Sequence, residues 1–462
     1  MAQQTTADAA LLTIYKTWYT DKRFPNLLFR NSPTLKKIQK NRFQGKEYRF
    51  AALYGRGGAV SGDYTVAVAL ASSMSKNTEF VVKPGNLFSV FNVTQKEVLA
   101  SQSKQGAYVK ALINRMFAAT EGSRKMMAAS LFGWGYGDVG QVTTAVATGA
   151  TVVTVNWDVA VKLDVGMVIG FTNYTSSNNT PGIAFATTDT YNTISTIDGQ
   201  NIHLATAVAG GATVGSWIIV KGGEDATDGS GNPNMPTGLG QWLPSLANRT
   251  GATWTAYATT AFYGVTRSVA SGQLMGWYYQ RQPGDLLSDA IVNGLKMARR
   301  GGGIPDMIIV NDEDFATIMY ELQQNMTYFQ MTNSSPEKAS TNEVTRGLSA
   351  FRASFSKSFV DILYEDPYCP KGVCYIIDSE AIEFVALNNV QAMDDGIPNN
   401  EPGSQSVESQ SEPDTSFRLM IDDYINTAPN STSAEGPAVQ VSLSFYGNFV
   451  VHEPGHCAVV TF

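Results

Sequence analysis

The chain has 462 residues, enough for about three domains and for a core that needs no disulfide or metal staple. Its 33 Lys and Arg against 40 Asp and Glu leave a net charge of −7, which argues against a protein held on nucleic acid by general basicity. Three cysteines exclude a disulfide scaffold and fit cytosolic synthesis. The N-terminal MAQQTTADAALL lacks the basic and apolar regions of a secretory signal. No run approaches the roughly 18 apolar residues of a membrane span.

Charged residues make up only 16% of the chain, which suits either a protein that hides its surface in contacts or a β protein rich in Thr and Ser. Leu11, Leu12, Tyr15, Trp18 and Tyr19 predict a short helix, ended at Phe24-Pro25 because proline disfavours helical geometry in the residue before it. Between Lys22 and Arg49 nine basic residues face one acid, Glu47, so this segment carries +8 and the remainder −15. That segment is a solvated basic face or an arm, with Lys36, Lys37 and Arg42, that lies against an acidic partner surface or nucleic acid. Opposite signs on two parts of one chain are what head-to-tail self-association can use.

From Lys46 to Val93 the pattern alternates. Tyr48, Phe50, Val66, Val68, Leu70, Phe80, Val82, Phe88 and Val90 predict strands, and Gly55, Gly57, Gly58 and Gly62 mark a reversal. The expectation is two long strands around a glycine-rich tip, plus returning strands, with no core of their own. Such a ribbon is marginal in water and needs support. Arg56 and Asp63, at its tip, are candidates to fix its register on a charged neighbour.

The period then switches. Tyr108, Val109, Leu112, Ile113, Met116 and Phe117 line one face of a helix of about 30 residues, despite Gly106 and Gly122, until glycine takes over at Gly133-Trp134-Gly135-Tyr136-Gly137. Residues 139–222 predict a strand-only barrel or sandwich, from Thr151–Val155, Val165–Phe171, Ile194–Ile197, Ile202–Leu204 and Trp217–Val220, with a turn at Asp198-Gly199. A linker rich in Gly and Asn runs from Gly222 to Gly240. Leu286, Leu287, Ala290, Ile291, Leu295 and Ala298 predict a helix that breaks at Gly301-Gly302-Gly303, followed by a buried strand, Met307–Val310. Asn311 is placed to cap the next helix, which has Phe315, Ile318, Met319 and Leu322 inward. After about residue 350 strands return at Phe359–Leu363, Val373–Ile377, Ile382–Leu387, Val439–Val451 and Cys457–Phe462. Gly396–Ser416 and Asn426–Gly436 are loops by composition.

Little in the sequence carries chemistry. There is no phosphate-binding loop and no nucleophile elbow, and Gly133-x-Gly135-x-Gly137 follows a helix where a dinucleotide fingerprint follows a strand. A metal set could be drawn from Cys369, Cys374, His452, His456 and Cys457. Cys374 sits in an apolar run, however, and the cysteines read as small core residues. Asp312-Glu313-Asp314 reads as a charged first helical turn rather than a catalytic pair. The expectation is no catalytic residue, no cofactor and no metal.

The order of the pieces resembles a tailed-bacteriophage major capsid protein. The residues that carry the resemblance are Gln102–Phe132 with the exit Leu131-Phe132-Gly133-Trp134-Gly135, Phe262–Ser268, Pro305–Asn311 before a helix, Asp366–Asp378 as a late β hairpin, and Phe445-Tyr446-Gly447-Asn448-Phe449 to Val460. The resemblance implies an α+β chain with the Hong Kong 97-type major capsid fold. Its parts would be an N-terminal arm (1–44), an extended β loop (45–96), the spine helix of a peripheral domain (97–138) and an inserted small all-β domain (139–222). A linker (223–240), an axial and peripheral α/β block (241–350) and C-terminal β segments completing both domains (351–462) would follow.

The function implied is self-assembly, as hexamers and pentamers, into the icosahedral head around packaged double-stranded DNA, without sequence-specific contact and without a membrane. Assembly would take place in the host cytoplasm. The implied partners are a portal, decoration proteins and a scaffolding protein that should be separate, because the β excursion starts too early for an N-terminal scaffold segment. Arg56, Asp63, Lys36, Lys37 and Arg42 are the candidate intersubunit contacts. The alternative is an extracellular β-rich adhesin, which the missing secretion signal counts against; a metal-dependent enzyme would rest only on the cysteines and histidines.

Overall fold

Two five-stranded sheets and one six-stranded sheet take most of the strands. The computed structural model describes residues 33–55, 61–70, 76–94, 111–171, 191–223, 233, 235–245, 251–325, 353–354, 359–360, 362–387, 418–421 and 438–462. The expected N-terminal helix and the loops at 396–416 and 426–436 lie outside these residues.

A short helix, Pro33–Lys37, leads into β1, Gln39–Arg42. β2 (Tyr48–Gly55) and β3 (Lys76–Val82) then pair antiparallel, from Tyr48 opposite Val82 to Gly55 opposite Lys76. This is the expected ribbon, but its far end differs from expectation: Val66, Val68 and Leu70 lie in a helix, Tyr64–Leu70. Asp63 starts that helix, its Oδ1 accepting the Thr65 N–H at 2.8 Å and its carbonyl the Ala67 N–H. Alternation produces a strand only where a neighbouring edge supplies hydrogen bonds, and here β2 and β3 already pair with each other. β4, Gly85–Thr94, likewise does not return along the ribbon; it pairs with residues 438–447 near the other end of the chain.

The helix Ala111–Phe132 contains Leu112, Ile113, Met116 and Phe117 of the expected stripe; Tyr108, Val109 and the expected start at Gln102 lie outside the described residues. It ends where the Gly133 N–H turns back to the Ser130 carbonyl, and Gly135 follows at φ +91°. A Cβ on Gly135 would stand 2.8 Å from Pro233, so both conformation and space demand glycine.

Six strands follow: β5 (Asp138–Gln141), β6 (Val152–Thr154), β7 (Val168–Phe171), β8 (Asn192–Asp198), β9 (Asn201–Leu204) and β10 (Trp217–Val220). They form one sheet in the order β5-β10-β7-β8-β9-β6, around a cluster that includes Val139, Val153, Ile169, Ile194, Ile202 and Ile218. The turn at Asp198-Gly199 is present, with Gly199 at φ +60°. The strand-only reading needs one correction, a single helical turn at Trp157–Ala160 that packs Val159 and Ala160 into the cluster.

Helices Leu239–Trp242 and Gly251–Thr259 precede a tight hairpin of β11 (Ala261–Phe262) and β12 (Val265–Thr266). β13 (Trp277–Gln280), the helix Leu287–Arg300, β14 (Met307–Val310) and the helix Asp312–Asn325 come next. Asn311 caps the last of these as expected, its side-chain oxygen accepting the Glu313 N–H at 3.0 Å. β15 (Ala353–Ser354) pairs with β16 (Phe359–Val360), and β17 (Ile362–Glu365), β18 (Val373–Ile377), β19 (Ile382–Ala386), β20 (Arg418–Ile421), β21 (Ala438–Val451) and β22 (Ala458–Thr461) complete the chain.

One five-stranded sheet runs β13-β22-β18-β14-β17; the other runs β1-β19-β21-β20 with β4 also on β21. Asp366–Asp378 is therefore not a hairpin, because β14 lies between β17 and β18, parallel to the first and antiparallel to the second. The 14-residue β21 is long enough to pair with β19 at one end and with β4 and β20 at the other. The largest apolar cluster joins the ribbon base (Phe80, Val82), the end of the long helix (Met127, Leu131), Trp242 and both five-stranded sheets. The helix Leu287–Arg300 buries Ile291 and Leu295 with Ile308, Ile376 and Val460.

Candidate functional site

The ribbon is anchored at one end and bare at the other. At its base Phe50 stacks on Phe80 with ring centroids 5.1 Å apart, and both rings meet Trp242. Beside them the Glu383 carboxylate accepts hydrogen bonds from Tyr48 Oη (2.5 Å), His452 Nε2 (2.5 Å) and Asn41 Nδ2 (2.6 Å). Burial alone would raise the Glu383 carboxyl, but these three donors outweigh it and bring it down to about 2. Burial, with Glu383 as neighbour, pushes the Tyr48 phenol up. The base is thus a charged, hydrogen-bonded clamp set against an aromatic stack.

Away from the base one side of β2 still packs Ala52 and Tyr54 against the main core, while other apolar residues face water. Leu53 on β2 is 64% exposed and Tyr64 is 83% exposed, with Val66, Val68 and, on β4, Phe88 and Val90 also exposed. Scattered exposed apolar residues are ordinary, but Leu53 together with Tyr64, Val66 and Val68 of the helix at the far end of the ribbon makes an apolar group that is unusual on so thin an element in a monomer.

The candidate contact residues are spread over this surface rather than gathered. Asp63 is exposed beyond β2, and its carboxylate caps the helix Tyr64–Leu70. Arg56 lies outside the described residues, and Lys36 lies in the helix Pro33–Lys37, with its side chain outside them. Lys37 is exposed, with Nζ 5.6 Å from the Tyr364 ring centre, and Arg42 is exposed at the end of β1, which pairs in parallel with β19. The acid at the ribbon's far end and the bases on the β1 side lie on separate elements.

The residues weighed as metal ligands do not converge. Cys369, Cys374 and Cys457 are free and buried, and burial raises all three thiols. His452 faces Glu383, and His456 Nδ1 lies 2.6 Å from Glu453. Among the described residues no group of three or more His, Cys, Asp or Glu could hold a metal ion. The clamp itself was missed by sequence reasoning: His452 was visible, but only as a metal candidate, and nothing local pointed to Glu383, 69 residues away.

No protein-family model matches the sequence, and no curated protein sequence matches it either. Among solved structures, the capsid asymmetric unit of cyanophage A-1(L) superposes with a TM-score of 0.51 at 12% identity, over 96% of this chain and 96% of that one. The fold is the Hong Kong 97-type capsid fold. A structure from Mycobacterium phage Bobi (10% identity, 98% and 97% of the two chains) aligns at a TM-score of 0.42. The encapsulin of Synechococcus elongatus (9% identity, 99% and 94%) aligns at 0.41. Among the described residues no helix is long and apolar enough to cross a membrane.

Proposed function

We propose that the chain is the major capsid protein of a tailed phage, a structural subunit that assembles with copies of itself into the virion shell. The observation that carries the reading is the ribbon of β2 and β3, clamped at its base by Glu383 and exposing Leu53, Tyr64, Val66 and Val68 toward its far end, in a fold shared with a cyanophage capsid subunit over almost its whole length. In a lone subunit the ribbon's apolar surface meets water at a cost of roughly 25 cal/mol per Å². Lying across a neighbouring copy removes that cost, and a symmetric shell repeats the gain at every equivalent contact. The role is structural rather than catalytic, and the adhesin alternative finds no support in this fold.

On this reading residues 1–44 are the arm, 45–96 the extended loop, 97–138 the spine helix and its exit, 139–222 an inserted domain, 223–240 a linker, and 241–350 and 351–462 the rest of the axial and peripheral domains. Exposed Lys37 and Arg42, with Arg56 and Asp63, are proposed to meet neighbouring copies. The head would enclose double-stranded DNA through general contacts, and a separate scaffold, a portal and decoration proteins would complete it. Light scattering and negative-stain microscopy of the purified protein test the reading. Closed shells, or rings of five or six, are expected; a chain that stays at 49.8 kDa at every concentration overturns it.

A further inference from the structure

A cleft of about 480 Å³ opens where the six-stranded sheet meets the end of the helix Ala111–Phe132 and the connection between β17 and β18. Trp134, Trp217, Phe132 and Tyr375 contribute to its walls, and the two indoles meet edge to face with centroids 6.5 Å apart. Asp158, from the single helical turn Trp157–Ala160, lines the same cleft. It is only 8% exposed, yet nothing among the described residues donates a hydrogen bond to its carboxylate, and Oδ1 is fully buried. A carboxylate withdrawn from water is normally paired or hydrogen-bonded. This one accepts no hydrogen bond from the described residues and has no cation among them within ion-pair distance, and only Lys371 attracts it from farther off.

The nearby cations are already engaged. Lys162 Nζ donates to the Val139 carbonyl at 3.2 Å, and Lys371 pairs with Glu313. Asp314 lies within electrostatic range of Asp158 and, after burial, is raised in part by it. Asp138 also lines the cleft, its carboxylate accepting the Trp134 N–H at 3.0 Å. Two acids (Asp138 and Asp158) and two lysines (Lys162 and Lys371) line the cleft, and Glu313 and Asp314 lie outside its wall, the first paired with Lys371 and the second accepting the Gly372 N–H. The set does not suit a bare metal ion, because no three ligating side chains converge among the described residues. A carboxylate without donors in a cleft that aromatic rings also line suits a polyatomic cation, which binds by a charged hydrogen bond on one side and ring quadrupoles on the others.

We propose that this cleft binds a small soluble organic cation, a primary ammonium or a guanidinium, held by Asp158 against Trp134 and Trp217. The inference concerns a pocket inside one subunit and stands whether or not the chain forms shells. Agmatine carries both groups, and the two tryptophans supply the signal. Titrating agmatine into the purified full chain should change indole fluorescence with saturation in the millimolar range or tighter. KCl at matched ionic strength and neutral 1,4-butanediol should leave it unchanged. Asp158→Asn, which keeps shape and volume, should weaken binding at least tenfold and abolish the rise in Tm that agmatine gives the parent protein. Asp164→Asn, outside the cleft, should do neither. The proposal is overturned by an equal response to KCl or butanediol, by equal affinity in Asp158→Asn, or by no saturable response in the parent up to about 50 mM. The last of these needs no variant to fold.

Discussion

Glu383 collects donors from three stretches of chain that are remote in sequence, Asn41, Tyr48 and His452, and so ties β1, the ribbon and β21 to β19. Its carboxyl titrates at about 2 in the folded chain against an ordinary value of 4.5. A lowered folded-state pKa means that the ionised form stabilises the fold. The contribution is complete above about pH 4.5 and is lost as the pH falls toward 2. Glu383→Gln removes that dependence, so between pH 5 and pH 3 the parent should lose about 2 kcal/mol more stability than the variant. Urea unfolding of unassembled subunits at the two pH values measures this, and equal losses would show that the clamp is not charged. Arg267 poses the opposite problem. It is 1% exposed, donates to the Gln241 carbonyl at 2.7 Å and to Tyr257 Oη at 2.6 Å, and lies 4.1 Å from the Phe262 ring centre. Among the described residues no carboxylate pairs with it. Tyr257 also donates to the Gln241 carbonyl, so an apolar replacement leaves that acceptor satisfied. Arg267→Met should therefore cost about 1–2 kcal/mol less than Arg267→Lys, which keeps a buried charge and loses the planar fork. Denaturant midpoints decide between them.

At the scale of elements, the ribbon separates folding from assembly. Its base is part of the main core, whereas Leu53, Tyr64 and Val68 touch mostly water. The triple variant Leu53→Asn, Tyr64→Ser, Val68→Asn should leave subunit stability within about 0.5 kcal/mol per site and yet block closed shells. Circular dichroism melts and electron microscopy check the two halves, and normal shells from the variant would remove the ribbon from the intersubunit contact. Asp63 is a less clean probe. It caps the helix Tyr64–Leu70, so Asp63→Arg disturbs that helix by about 1 kcal/mol as well as any docking charge. The alternation that predicts β2 and β3 also predicts a strand at 64–70 and fails there, because period alone cannot report whether a partner edge exists. β4 was legible as a strand, but not its pairing with β21, which lies about 350 residues away.

Across the whole molecule, the six-stranded sheet is the part that most resembles a separate body. It buries its own cluster, and Lys125 of the long helix reaches it through the Asp164 carboxylate (2.5 Å) and the Leu163 carbonyl (3.1 Å). A fragment of residues 138–222 should fold alone and melt cooperatively, with dispersed amide signals in NMR spectra. An unfolded fragment would show that the Lys125 brace and the cleft wall are part of its core, and that the unit is not autonomous.

Sequence by itself determined the local features of this protein: the helix that ends at Gly133, the Asn311 cap, the Asp198-Gly199 turn and the apolar segments that became β14, β18 and β19. Each depends on residues within one or two turns of each other, whose propensities and hydrogen bonds act over short distances. The order of these pieces was enough to suggest the fold. Tertiary structure alone decided that β14 separates β17 from β18, that β1 and β4 join the C-terminal strands, and that Glu383 and Asp158 occupy opposite situations, one carboxylate saturated with donors and the other with none. Those outcomes depend on which distant segments are buried together. A residue's desolvation and its partners are properties of that neighbourhood, not of its position in the chain.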